Sequence, residues 1–153
     1  MNASDLLAVL ALLGTGTTAG VLFGVALSVT PALIAMPVGV YIDVHKKLGQ
    51  RWDPTMPIIV LSTSVLHVAL ALLTTGHAVV LHGFAAALML GVAAVSHLAN
   101  VPINKRVKGL EADEVPDDWD DPRKLWRNWN LLRTVFAGFA LLASALAVTV
   151  PTT

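Results

Sequence analysis

The sequence predicts an all-α integral membrane protein whose four helices form an up-down bundle. Of its 153 residues, 56% are hydrophobic and only 13% are charged, which is too apolar for an ordinary soluble domain. Four long apolar segments are each of a length that crosses the hydrocarbon core of a bilayer. Their apolar runs are continuous rather than alternating, which argues against a transmembrane β-barrel.

The four apolar segments define the elements of a single predicted domain, residues 1–153. The first segment begins without a basic residue and is longer than the core of a signal peptide, so we expect it to be retained as a helix. Gly16, Gly20 and Gly24 recur in it at intervals of four, a pattern that lets a second helix approach closely. The predicted helices span about residues 6–29, 56–74, 79–101 and 125–150, and polar loops cover 30–55 and 102–124.

The distribution of charge predicts the orientation of the chain in the membrane. Ten basic residues balance ten acidic ones, so the net charge gives no indication of nucleic-acid binding. All the basic residues fall in the two polar loops or in the first turns of the fourth helix. The positive-inside rule therefore predicts a multi-pass protein of the cell membrane, with both loops in the cytoplasm and both termini outside. The ten are Lys46, Lys47, Arg51, Lys105, Arg106, Lys108, Arg123, Lys124, Arg127 and Arg133.

The first polar loop contains a second helical pattern. Pro31 and Pro37 are expected to kink or end the first helix at its cytoplasmic side. The following stretch "GVYIDVHKKLGQRW" is compatible with a short helix at the membrane interface, with Tyr41 and His45 on one face. The second loop is rich in carboxylates, and we interpret it as solvated rather than as a divalent cation site.

The cytoplasmic end of the third helix carries polar side chains on one face. His97, Asn100 and Asn104 are spaced i, i+3, i+7. Pro102 cannot donate a backbone hydrogen bond, so the carbonyl of Leu98 loses its helical partner. Such a set favours a polar pocket over a surface that faces lipid.

The fourth helix opens with a similar face made of Trp126, Trp129, Asn130 and Arg133. Arg133 lies about seven residues inside the helix, roughly 10 Å along its axis. A charge at that depth costs about 2.5–3.5 kcal/mol on insertion scales, so a functional role is the default hypothesis. We predict that this face and the polar face of the third helix meet inside the bundle.

The five histidines are expected to play different parts. His77 and His82, near the outer turn, are predicted to be solvated, and His67 is predicted to make a hydrogen bond between helices. His97 and His45 are the candidate acid–base groups, because an imidazole titrates near neutral pH. His45, His67 and His97 also leave open a three-histidine metal site, although no motif of fixed spacing supports one. The absence of cysteine excludes thiolate ligands and cysteine nucleophiles.

Three short motifs carry a resemblance to a known family. They are "VTPAL" at the end of the first helix, "NVPIN" at the end of the third and "WRNWNLLRTV" at the start of the fourth. With the four-span layout, they make the chain similar to the anthrone oxygenase-like family of small membrane proteins. The resemblance implies oxidation of a small apolar aromatic substrate, an anthrone of polyketide biosynthesis, to a quinone. It also implies dioxygen as co-substrate and no flavin, haem or dedicated metal. The family often has histidine where this chain has Asn130. Because an amide cannot act as a base, His97 or His45 would have to take that role.

The residues suit such a reaction. His97 is the preferred base for the acidic CH₂ of the anthrone, and Arg133, Asn100 and Asn104 are suited to stabilising the enolate. Asn130 and His45 complete the predicted catalytic set. The predicted substrate-binding residues are Trp126, Trp129, Tyr41 and His67. For the two tryptophans, a place in the interfacial aromatic belt is the alternative.

Two other functions stay open at this point. One is a metal-dependent membrane oxidase that uses the three histidines. The other is a non-enzymatic protein, such as a small transporter or an assembly partner; the chain lacks the paired halves with matching broken helices of many transporters. The sequence leaves the formation of a homo-oligomer open.

Overall fold

The computed structural model describes residues 3–116 and 118–149, and it contains four long helices. Each is long and apolar enough to cross a membrane, and no strand occurs in the described residues. The predicted fold class, an all-α four-helix membrane bundle, is confirmed. The helices are α1 (Ala3–Ala35), α2 (Val38–Leu73), α3 (His77–Lys108) and α4 (Arg123–Ala147). The predicted end of the fourth helix at residue 150 lies outside the described residues.

The helices extend further than the hydropathy pattern predicted. Most of the predicted loop 30–55 is helical: α1 runs on to Ala35, and the predicted interfacial helix is the first part of α2. With 36 residues, α2 is about 54 Å long at 1.5 Å per residue, against about 30 Å of hydrocarbon. Hydropathy detects only the part of a helix that can lie in lipid, so it misses a polar extension.

Two prolines are accommodated by π-helical turns. α1 contains such a turn at Val25–Val29 and α3 contains one at Ser96–Asn100. Each turn ends two residues before a proline, Pro31 or Pro102. A proline has no N–H and its ring crowds the carbonyl four residues earlier, and a wider turn relieves that crowding. Pro31 therefore does not end α1.

The bundle has two apolar clusters. The first lies between the middle parts of the helices and includes Leu22, Val60, Met89, Val92 and Ala137. The second lies at the end of the bundle where α1 joins α2, and Trp119 of the connection between α3 and α4 packs against it. It consists of Leu33, Tyr41, Ile42, Ile103 and Val107.

The predicted glycine seam of α1 is displaced. A Cβ at Gly20 or Gly24 would meet no atom within 4 Å, and one at Gly16 would make only ordinary contact. The close approach occurs at Gly14, where a Cβ would overlap the side chain of Thr63 on α2. The prediction of a packing seam at Gly16, Gly20 and Gly24 was therefore wrong, because the close approach of α1 to α2 occurs at Gly14.

Arg123 fastens the start of α4 to the end of α1. Its Nη1 donates hydrogen bonds to the carbonyls of Leu33, Ile34 and Met36, at 2.9, 3.2 and 2.6 Å. These carbonyls belong to a helix end, where the last acceptors have no partner in the helix. The carboxylate of Asp121 accepts from Arg123 in turn, and these hydrogen bonds lower the pKa of Asp121.

Candidate functional site

A cavity of about 440 Å³ lies among all four helices. Its size is in the range of small-molecule sites, and its wall is mainly apolar. Most of the polar side chains in the wall belong to α3 and α4, the two helices with the predicted polar faces. The lining includes Leu22 and Val25 of α1, His45, Trp52 and Met56 of α2, Ser96, His97, Asn100 and Asn104 of α3, and Trp126, Asn130 and Arg133 of α4.

Arg133 is held by two hydrogen bonds in the wall of this cavity. Its Nη1 donates to the hydroxyl of Ser96 at 3.0 Å, and its Nη2 donates to Oδ1 of Asn130 at 2.9 Å. Its Nε is buried and has no hydrogen-bond partner. The guanidinium is therefore fixed in orientation in the cavity wall, and its Nε–H has no acceptor in the described residues.

Asn130 is fixed by the backbone of α1. Its Nδ2 lies 3.5 Å from the carbonyl oxygen of Leu22, and the Thr134 hydroxyl donates to the same oxygen at 3.2 Å. Leu22 comes one turn before the π-helical turn of α1, where the regular hydrogen-bond ladder changes. The backbone of α1 thus orients the amide that orients Arg133.

A second polar group joins three helices nearer the α1–α2 junction. The indole Nε1 of Trp126 donates to Oδ1 of Asn104 at 2.9 Å. The ring of His45 packs edge-on against Trp126, with 5.8 Å between ring centroids. His45 is buried, so its imidazole reaches the cavity from a protected position.

Asn100 stands between these two groups. Its Nδ2 lies 3.4 Å from the carbonyl oxygen of Trp126, whereas its Oδ1 is buried with no hydrogen-bond partner. It is the last residue of the π-helical turn that also contains Ser96. The cavity therefore has both a donor, on Arg133, and an acceptor, on Asn100, whose hydrogen bonds are unmade.

The remaining predicted residues are divided between the cavity and other places. His97 lines the cavity but has an exposed side chain. Trp129 is 36% exposed and does not line the cavity. Tyr41 also lies outside it, buried in the second apolar cluster with its ring edge-on to His45 and Arg123 stacked 5.0 Å above it.

His67 lies in the other half of the bundle. Its Nε2 is 2.9 Å from the hydroxyl of Thr15, and its Nδ1 is 3.2 Å from Nδ1 of His82. The structure thus has the predicted hydrogen bond between helices, but the prediction that His82 is solvated was wrong, because only 2% of it is exposed. His82 was predicted to be solvated because it lies close to the turn before α3 in the sequence. The helix already begins at His77, so His82 lies inside it and is buried.

The three-histidine set is not assembled. In residues 3–116 and 118–149, no three histidine or carboxylate side chains lie close enough together to hold a metal ion. His45 and His67 have different neighbours, Trp126 and Thr15 respectively. The donors that the metal-dependent alternative requires are therefore not gathered in this conformation.

Several residues that line the cavity were not predicted from the sequence. Trp52, Asp53 and Met56 lie where the predicted interfacial helix ends and the second predicted span begins, and only the unbroken continuation of α2 brings them to the cavity. Ser96 directly precedes the predicted site residue His97, but a single serine in an apolar helix does not by itself indicate a functional site. Its position one turn before Asn100 was the available signal.

The fold and the cavity define a class: a four-helix membrane protein with a fixed cationic and amide cluster in an apolar pocket. The model of the anthrone oxygenase family matches residues 46–143, more than half of the 153-residue chain. The protein belongs to the anthrone oxygenase family. The match takes in the cavity residues of α3 and α4, while α1, Tyr41 and His45 precede it. No curated protein and no solved structure matches the chain.

Proposed function

We propose that this protein is a membrane-embedded oxygenase that converts an anthrone-like aromatic polyketide to its quinone with dioxygen, without an organic cofactor or a metal. The observation that carries the proposal is Arg133, half-buried in the wall of an apolar cavity with two N–H groups engaged and its buried Nε unpartnered. A fixed donor in a site of low dielectric stabilises an oxyanion without reorganisation. Membership of the anthrone oxygenase family supports an oxygenase-type role.

The chemistry needs a base and an oxyanion site. In the proposed mechanism, His97 takes a proton from the CH₂ group, and the carbonyl oxygen becomes an enolate oxygen that accepts a hydrogen bond from Nε of Arg133. His45 is the second candidate base, because it also lines the cavity. Asn100 and Asn104 help to orient the substrate, and Trp126 supplies an aromatic wall.

The oxidation can then proceed on the substrate itself. The electron-rich enolate carbon transfers electrons to dioxygen and forms a C–O bond, giving a hydroperoxide after protonation. Loss of the second hydrogen of the former CH₂ as a proton breaks the O–O bond and releases water. One oxygen atom stays in the new carbonyl, and the other leaves in the water.

The reaction is tested by turnover of an anthrone by purified protein in lipid nanodiscs under ¹⁸O₂. We expect one labelled oxygen atom in the quinone, in preparations with and without added chelator. Arg133→Ala should lower kcat/KM by about 10²–10³. Arg133→Lys should not restore the rate, since the three donors of an ammonium do not have the planar fork geometry of a guanidinium.

Arg127→Ala is the matched control, because Arg127 is exposed on the same helix and does not line the cavity. Its rate should stay within about twofold of the wild type. Equal losses in the two alanine variants would contradict the role of Arg133. Activity that is lost with chelator and returns only with a metal would contradict the cofactor-free proposal.

We also propose that the cavity end of the bundle faces the cytoplasm, as the ten basic residues indicate. The chain has no cysteine, so single cysteines can be added cleanly. Cysteine in place of Asp118 should resist an impermeant thiol reagent in intact cells, whereas cysteine in place of Gly76 should react. Labelling of the cysteine at position 118 but not of the one at position 76 would contradict this orientation and indicate the reverse one.

A further inference from the structure

The cavity that contains Arg133 opens through the side of the bundle. All of its exposed lining side chains come from only two helices, α2 and α3. The lining residues of α1 and α4 are buried or half-buried. The opening is therefore a slot between α2 and α3. Its exposed walls are Leu48, Trp52, Asp53 and Leu61 on α2, and His97 and Lys105 on α3.

The slot runs along the helices. Leu48 and Leu61 are 13 residues apart, which corresponds to about 20 Å of helix. Near Leu48, the cavity adjoins the second apolar cluster through Leu33, and Trp119 packs against that cluster from the α3–α4 connection. Side chains thus pack over this end of the cavity, whereas its exposed lining residues lie along the side of the bundle.

Both walls of the slot have interrupted backbone ladders. α2 carries Pro54 and Pro57 inside the helix, and Pro57 lines the cavity. α3 has its π-helical turn, Ser96–Asn100, at the facing wall. Prolines and π-helical turns bend helices, so this part of the α2–α3 pair is kept from continuous close packing.

An ion pair bridges the slot near its polar end. Nζ of Lys108 on α3 contacts the carboxylate of Asp53 on α2, and both residues line the cavity. Gly49 makes room for this bridge: a Cβ there would meet Cε of Lys108 at 3.0 Å. The bridge is partly exposed, so it can break without burying a charge.

We propose that the slot is a lateral portal through which the flat apolar substrate passes from the bilayer to Arg133, with the Asp53–Lys108 ion pair as a strap across it. This inference rests on the proposed function, which supplies the substrate class. A polycyclic aromatic dissolves in the hydrocarbon of the membrane. Leu61 and Trp52 offer it an apolar path that is continuous with the cavity.

The portal is tested by blocking it. Leu61→Cys in nanodiscs is labelled with a pyrene maleimide, and the association rate of anthraquinone is followed by quenching of tryptophan fluorescence. Relative to the unlabelled variant, we expect the labelled protein to bind at least tenfold more slowly. Val65→Cys is the matched control, because Val65 is exposed one turn further along α2 but does not line the cavity. Labelling at 65 should change the rate by less than twofold.

The outcomes separate this inference from the proposed function. Unchanged association after labelling at 61 would overturn the portal, whether or not the protein oxidises anthrones. Slower association at 61 only, in a protein without turnover, would support the portal and count against the reaction. No binding of the polycycle to unlabelled protein with an intact bundle would overturn both, and a lipid chain would be the better occupant of the slot.

The strap has its own test. Lys108→Met should speed anthraquinone association about threefold, because the barrier across the slot is removed. Lys46→Met is the control, since it breaks the partly exposed Lys46–Glu111 ion pair, which lies outside the cavity lining. An equal effect of the two substitutions, or slower association in Lys108→Met, would refute the strap.

Discussion

The two halves of the bundle each contain a buried polar cluster, yet the clusters differ in what they leave unpaired. In the half that contains the α2–α3 turn, both ring nitrogens of His67 are engaged, one with Thr15 and one with His82. In the other half, Arg133 and Asn100 each keep a buried polar atom without a partner beside a cavity. A satisfied network rigidifies a core, whereas unmade hydrogen bonds beside a cavity indicate a ligand site. Buried polarity by itself would not have distinguished them.

The largest expected effect falls on the proposed base. His97→Ala should lower kcat for anthrone oxidation by about 10²–10⁴, the usual contribution of general acid–base catalysis. The measurement is turnover in nanodiscs at saturating substrate. His45→Ala, on the other wall of the cavity, is measured alongside. A large loss in His45→Ala with a normal rate in His97→Ala would transfer the role of base to His45.

The cluster around His67 should respond in stability rather than in activity. His67→Leu removes the partner of the His82 Nδ1, whereas the Thr15 hydroxyl keeps its hydrogen bond to the carbonyl of Ala11. Leaving a buried polar group unsatisfied costs about 1–3 kcal/mol. We expect a lower thermal unfolding temperature, with kcat within about twofold of the wild type. His77→Ala is the control, because His77 is exposed in the α2–α3 turn. A tenfold loss of kcat in His67→Leu at unchanged stability would contradict the distinction between the two halves.

The smallest effect is a packing test in α1. Gly14→Ala should overlap Thr63 and cost about 1–3 kcal/mol of stability, as overpacking typically does. Gly20→Ala should be neutral, since a Cβ there meets nothing within 4 Å. Thermal unfolding of both variants checks the prediction. A greater loss at position 20 would restore the glycine seam that the sequence spacing suggested.

The sequence allowed the fold class and the polar end of the bundle to be predicted, because both depend on local pattern. The length of the apolar runs predicted four spans, and helical spacing correctly grouped Asn130 with Arg133. The same counting also included Trp129, which lies about 100° around the helix from Asn130 and faces outward at the edge of that stripe. Face assignments from spacing are least reliable at such edges.

The parts that could not be predicted depend on the backbone and on contacts between distant helices. Nothing local indicates that the Leu22 carbonyl accepts from Asn130, more than a hundred residues away. The π-helical turns before Pro31 and Pro102 change the register of the faces that follow. Asp53 and Lys108 form an ion pair because α2 continues beyond its apolar run. The hydropathy pattern does not show that continuation.

The central claim is that Arg133 provides a fixed donor for an oxyanion in the cavity. It is tested most directly by the pKa of a phenolic polycycle, such as 9-phenanthrol, bound in the cavity and followed by absorbance. The guanidinium favours the phenolate, so the pKa of the bound phenol should be at least about one unit lower in the wild type than in Arg133→Ala, a difference of about 1.4 kcal/mol. Arg127→Ala should match the wild type. Equal pKa values for the phenol bound to the wild type and to Arg133→Ala would contradict the claim.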